Sequence, residues 1–140
     1  MSQQLIRAFF VAILVLSGSS VAFAQEKAIP KEQRATVEGS WAEDCTSKTS
    51  KWVYLIARWV EVYPSGKMIT NKEGNRVFNH TGKRLYRTTF SDVQSSGPGV
   101  LAIKTKANGT LNLKMLSDGK MNFDLKDPGY QFSGDLTLCK

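Results

Sequence analysis

From Ala35 onward, apolar and polar residues alternate with a period of two. Val37, Gly39 and Trp41 alternate with Thr36, Glu38 and Ser40. Leu101 and Ile103 alternate with Ala102 and Lys104, Leu111, Leu113 and Met115 with Asn112 and Lys114, and Met121, Phe123 and Leu125 with Asn122 and Asp124. Leu136 and Leu138 oppose Thr137 and Cys139 in the same rhythm. Side chains of a strand point to alternate faces, so each run predicts a strand with one buried face. Turn chemistry separates the runs: Pro64-Ser65-Gly66, Lys72 to Asn75, Thr81-Gly82, Asn108-Gly109, Asp118-Gly119 and Asp127-Pro128-Gly129. Asn-Gly and Asp-Gly are the dipeptides that tight hairpins favour. Met68 to Thr70, Arg76 to Asn79 and Arg84 to Phe90 read as further short strands, and Ser91 to Gly99 as a longer loop.

Lys51 to Tyr63 (KWVYLIARWVEVY) is the most apolar stretch after residue 24. Its β-branched and aromatic residues favour strand, although Trp52, Ile56, Trp59, Val60 and Tyr63 would also line one face of a helix. Taken together, the pattern predicts an all-β fold, an antiparallel up-and-down meander of about 8–9 strands. A closed barrel is favoured over a two-sheet sandwich, because closure leaves no unpaired edge.

The N-terminus follows different rules. A basic start at Arg7, the apolar run Ala8 to Leu16 and the triplet Ala22-Phe23-Ala24 predict a signal peptide over 1–24, cleaved after Ala24. The apolar run is too short for a membrane-spanning helix, which needs about 20 residues. Later segments are no longer in this respect, so the exported chain is expected to be soluble, periplasmic or secreted. Residues 25–34 are polar, carry Pro30 and read as a mobile leader, leaving 35–140 as one domain.

Export delivers Cys45 and Cys139 to an oxidising space, where an even count favours a disulfide. Closing a loop of about 100 residues is worth about 4–5 kcal/mol in the chain-entropy model, less any native strain. Bridging needs the two Cα atoms within about 7 Å. In an eight-stranded meander the first and last strands end at opposite poles. Either there are nine strands, or the loop from Asp44 to Lys51 folds back along the wall.

The formal charge is +7, +6 without Arg7. It is uneven: residues 25–44 carry three cations against five anions, and the remainder carries the excess. A basic surface in an exported protein favours an anionic envelope component or an acidic protein over nucleic acid. Lys83, Arg84, Arg87, Lys104, Lys106 and Lys114 are the candidate patch, and edge lysines that block sheet-to-sheet association give the same pattern.

Gly39-Ser40-Trp41 ahead of a hairpin meander resembles the calycin group: lipocalins, avidins and similar bacterial barrels. The resemblance implies a closed barrel whose Trp plugs one end beneath a basic side chain near the last strand. Trp41 matches that Trp, and Lys140 is the candidate for the basic partner. No other lipocalin motif and no biotin-binding pattern accompanies it. If the barrel binds a ligand in a lumen, Trp41, Leu101, Ile103, Leu111, Leu113 and Phe123 are the candidate lining residues; the alternative is that a barrel this small is filled by its own side chains.

Catalytic constellations are not evident. His80 is the single histidine, in a segment that reads as an exposed turn, and with Cys45 and Cys139 committed to each other the ligand set of a zinc site is lacking. Asp118, Asp124, Asp127 and Asp135 fit no calcium loop. Glu61 lies in the apolar 51–63 stretch, on the face opposite Arg58 if that stretch is a strand. Ser95 to Gly99 follows neither phosphate-loop pattern. Cofactors and a metal are therefore not expected. The expected function is a non-enzymatic exported binding module for a small ligand, an envelope component or a protein. The alternative is an inhibitor of an envelope or host hydrolase acting through Ser91–Gly99 or the leader.

Overall fold

The computed structural model describes residues 27–140. The expected signal peptide, and with it the predicted cleavage site, lies outside the described residues.

The alternating runs form an all-β protein. The strands are β1 (Gly39–Ala42), β2 (Trp52–Leu55), β3 (Trp59–Tyr63), β4 (Ser65–Thr70), β5 (Arg76–Thr81), β6 (Tyr86–Gly97), β7 (Val100–Thr105), β8 (Thr110–Ser117), β9 (Lys120–Asp127) and β10 (Tyr130–Leu138). Eight of them close an antiparallel barrel in the order β1-β10-β9-β8-β7-β6-β3-β2. Strands β4 and β5 are not staves of it: they form a separate two-stranded hairpin, inserted between β3 and β6. The meander is therefore a barrel with an outrigger.

Three sequence expectations change. Lys51 to Tyr63 is two strands rather than one: the chain reverses at Ile56–Arg58, with Leu55 paired to Val60 and the Ile56 N–H donating to Trp59 O at 3.0 Å. Arg58 is therefore a turn residue, not a strand neighbour of Glu61. Ser91–Gly99 is mostly strand: β6 runs to Gly97 with register shifts between Phe90 and Asp92 and between Ser95 and Gly97. Val93 still points inward and is buried, which holds this polar segment in the ladder. The turn itself is only Pro98-Gly99, with Gly99 at φ +74°, a conformation glycine adopts at little cost.

The third change is at the leader. Lys31–Val37 is a helix, α1, entered through Pro30. Lys, Glu, Gln, Arg and Ala are good helix formers, and Pro30 presets the entering backbone without losing a needed donor. Ile29 and Val37 are fully buried in the barrel's core cluster. The Ile29 N–H donates to Ala57 O at 2.8 Å, and Gln33 binds both Ser95 Oγ and the Gly99 N–H. The segment read as mobile, from Ala28 on, is thus the plug of one barrel end.

The disulfide joins Cys45 and Cys139, whose Cα atoms are 5.6 Å apart. Of the two routes to that contact, the chain takes the second. Ala42 pairs with Thr137, so a straight continuation of β1 would carry Cys45 away from Cys139. Instead the chain turns after Ala42. The Asp44 carboxylate accepts from the Thr46 N–H and hydroxyl, a local turn that sends the loop back over the outer wall. The Thr46 hydrogen bonds also hold the Asp44 carboxyl below its usual pKa.

Candidate functional site

The interior of the barrel is filled. Trp41, Leu101, Ile103, Leu111, Leu113 and Phe123 are at most 2% exposed and pack in one cluster with Val53, Leu55, Val60, Val62, Met121, Leu125 and Leu136. Eight staves leave an interior about wide enough for side chains alone, and here branched and aromatic residues occupy it. The six candidate lumen residues are brought together, as core rather than as a cavity lining. Trp41 lies at the helix-plugged end, its indole N–H donating to Val37 O at 3.0 Å. Gly39, two residues earlier, has φ +143°, and a Cβ there would press on Leu138. Lys140 is elsewhere, on the outer surface beside Arg76, whose guanidinium donates to its carbonyl at 3.2 Å.

The opposite end is closed by polar groups. Asp127 is 3% exposed and accepts from the Thr105 hydroxyl at 2.5 Å and from the Tyr86 hydroxyl. Thr105 in turn accepts from the Gly109 N–H at 2.8 Å, which ties the Asn108-Gly109 hairpin to the network. Tyr86 and Tyr130 stack at 5.3 Å. Burial pushes the Asp127 carboxyl above its ordinary pKa, and raises Tyr130 likewise. Both carboxyl oxygens of Asp127 have a partner, whereas the buried Tyr130 hydroxyl has none, so Asp127 reads as part of an end seal.

The outer wall is where unusual side chains collect. Register places Tyr54 opposite Glu61, Trp52 opposite Tyr63, and Glu61 opposite Arg87, so all share the outward face of β2, β3 and β6. Trp52 is nevertheless fully buried, because the β4–β5 hairpin folds over it. Phe78 stacks on Trp52 at 5.1 Å and on Tyr54 at 6.2 Å, and meets Tyr63 edge-on at 5.5 Å. A Cβ at Gly66, opposite His80 on the neighbouring strand, would overlap the Phe78 ring, so the glycine makes room for it. Trp52, Ala42 and Cys139, with Cys45, Met68 and Phe78 packed against them, form a second hydrophobic cluster outside the barrel.

His80 is a strand residue, not a turn residue, and stacks on Tyr63 at 4.1 Å. Glu61 accepts from Arg84 at 3.3 Å, Arg87 at 3.2 Å and the Tyr63 hydroxyl at 2.9 Å. Arg87 also lies over Trp59, 5.2 Å from its centroid, a cation–π contact. Burial, then the hydrogen bond to Glu61, raises the Tyr63 pKa. Between the hairpin and the wall runs a groove of about 520 Å³, lined by Tyr54, Glu61, Tyr63, Arg76, Phe78 and His80 together with the chain around Cys139. The Glu61 carboxylate in it is held by two guanidiniums and a phenol.

The candidate basic patch is divided. Arg84 and Arg87 converge on Glu61. Arg87 and Lys106 line one shallow depression, and Lys104 and Lys126 flank Thr110 by register. Lys114 pairs with Val100 and Asn122 farther along the barrel, and Lys83 precedes β6 at the hairpin's return. Missed by sequence reading was the hairpin cluster itself. Its signal was present in the concentration of Trp52, Tyr54, Trp59 and Tyr63 over two strands, more aromatics than one buried face uses.

Among the described residues no three His, Cys, Asp or Glu side chains converge as a metal-ligand group, and no helix is long and apolar enough to cross a membrane. Compared with known proteins, the chain matches no family model, no curated protein and no solved structure.

Proposed function

We propose that this protein is an exported, non-enzymatic binding module that engages its partner from the outer wall of the barrel. The observation that carries the reading is the contrast between a side-chain-filled interior and a groove of about 520 Å³ on the wall. Ligand sites are concave, with aromatic walls and a few convergent polar groups. The groove has Tyr54, Tyr63, Phe78 and His80 as its walls, with Glu61 and Arg76 as its polar groups. Trp, Tyr and Arg are also the residues that dominate binding energy at protein interfaces. Export is supported by the leader pattern and by the disulfide, which persists in oxidising compartments.

A distant kinship with the calycin group is part of the same proposal. Its support is the closed eight-stranded barrel and Trp41 beneath the helix that plugs one end. The lumen ligand associated with that group has no room here. For the inhibitor alternative, Ser91–Gly97 belongs to β6 with Pro98-Gly99 as its turn, and Ala28 to Arg34 pack against the barrel, which favours the wall as the inhibiting surface.

A photo-crosslinking residue at position 54 tests the reading against one at Asn112, which faces outward on β8. In envelope extract, the probe at 54 is expected to give a discrete adduct and the probe at 112 none. Adducts at 112 alone, or a small molecule retained inside the barrel by native mass spectrometry, would contradict it.

A further inference from the structure

The barrel has no free edge, because each of its eight strands has two neighbours. The hairpin is different: β4 pairs with β5 and neither has a second strand partner among the described residues. In an antiparallel pair, every second residue turns its N–H and C=O away from the partner strand. Such an edge is a template for a further strand unless it is guarded. The two edges are not equivalent. Arg76, Val77, Phe78 and His80 of β5 line the groove, against Met68 alone from β4. An extended segment added to β5 would lie along the groove, and its alternate side chains would drop between the hairpin and the wall.

Charge selects the segment. Residues 64–84 carry Lys67, Lys72, Arg76, Lys83 and Arg84 against Glu73 alone, a net +4. The groove's carboxylate, Glu61, is already held by Arg84 and Arg87. Arg76 donates to Thr70 Oγ1 at 3.3 Å and to Lys140 O at 3.2 Å, which takes up two of the five N–H donors of its guanidinium. A second copy of this chain pairing β5 to β5 would set two segments of net +4 side by side, which charge repulsion disfavours.

Resting on the outer-wall reading and deepening it, we propose that the partner is a protein bound through an extended acidic segment that adds as a third strand to the free edge of β5. Strand addition takes affinity from main-chain hydrogen bonds and specificity from alternate side-chain pockets. The groove supplies the pockets and Arg76 the charge preference.

The test uses the exported full chain and a pool of eight-residue peptides alternating Glu or Asp with apolar residues, with a Lys-for-acid pool as control. Hydrogen exchange read by NMR is expected to slow about tenfold or more at the outward amides of Arg76–Thr81 with the acidic pool at saturation, and not with the basic pool. Arg76→Glu is expected to weaken acidic-pool binding by about tenfold with the melting temperature unchanged. Absence of binding at millimolar peptide overturns the proposal. So does binding that shifts Arg87 and Lys106 while leaving the β5 amides untouched, although the outer-wall reading then stands. Protection of β5 already present in the free chain, with a dimer in solution, assigns the edge to a second copy and likewise overturns it.

Discussion

Two hydrophobic clusters hold this molecule together, and they differ in kind. The barrel core is continuous, draws on all eight staves and α1, and is sealed at one end by Ile29, Val37 and Trp41 and at the other by the Asp127 network. The hairpin cluster is small and lies outside: Trp52, Ala42 and the disulfide beneath Phe78 and Met68. The first cluster has no room and no free backbone. The second has a groove beside it and two unpaired strand edges. The groove and the unpaired edges therefore lie beside the smaller cluster, as ligand-binding elements are drawn from the less stable parts of a structure.

Removal of the disulfide breaks the comparison most severely. Cys45→Ser with Cys139→Ser is expected to cost about 4 kcal/mol in denaturant unfolding, since the cross-link spans a separation of 94 residues. The hairpin cluster loses its floor at the same time. A midpoint unchanged within error would show that the bridge contributes nothing to the second cluster. Next, Phe123→Ala is expected to destabilise the whole domain by about 3–4 kcal/mol, the cost of a fully buried aromatic. Phe78→Ala is the sharper contrast. It should cost about 1–2 kcal/mol, because the ring is only half-buried. Its effect should be local: faster amide exchange in 65–81 with the barrel's slowest amides unaltered. Equal acceleration everywhere would mean that the clusters unfold as one.

The smallest effect concerns the polar end seal. The folded carboxyl of Asp127 keeps its proton to a higher pH than the unfolded chain does, with an ordinary value of 3.8. Unfolding then releases a proton between the two pKa values, so stability falls as pH rises through that window. Asp127→Asn removes this slope. The stability of the natural chain relative to the variant is expected to be greatest below the unfolded pKa and to shrink toward neutrality. A difference that grows with pH would reverse the assignment.

Much of the barrel was legible because alternation and turn chemistry agreed. Leu101, Ile103, Leu111, Leu113, Met121, Phe123, Leu125 and Leu136 are buried where alternation puts them, but β10 already starts at Tyr130, and Thr105 and Asp127, which the pattern did not mark as inward, are buried too. Three things were not legible. The reversal at Ile56-Ala57-Arg58 carries no Gly, Pro, Asn or Asp, so nothing marked it. Val37, Gly39 and Trp41 alternate like a strand, but Val37 ends a helix, because Pro30 and five helix-favouring residues act over too short a window to be read from periodicity. The hairpin's departure from the barrel is a long-range choice: Met68 and Phe78 have the alternation of staves, and only the surplus of aromatics on β2 and β3 tells where their apolar face goes. The candidate groove inherits that blindness. Glu61 could be singled out for its apolar surroundings, and Tyr63, two residues on, shares its face of β3, while Arg84 and Arg87 reach it only because β6 returns beside β3 after the hairpin.

Xenon titration of the methyl-labelled protein tests the central claim directly, because xenon enters vacant apolar space whatever the natural partner is. The filled-barrel account predicts shifts at Met68 and Val77 beside the groove and none at Leu101, Ile103, Leu111 or Leu113. Saturable shifts at those four interior methyls would show a vacant lumen and contradict it.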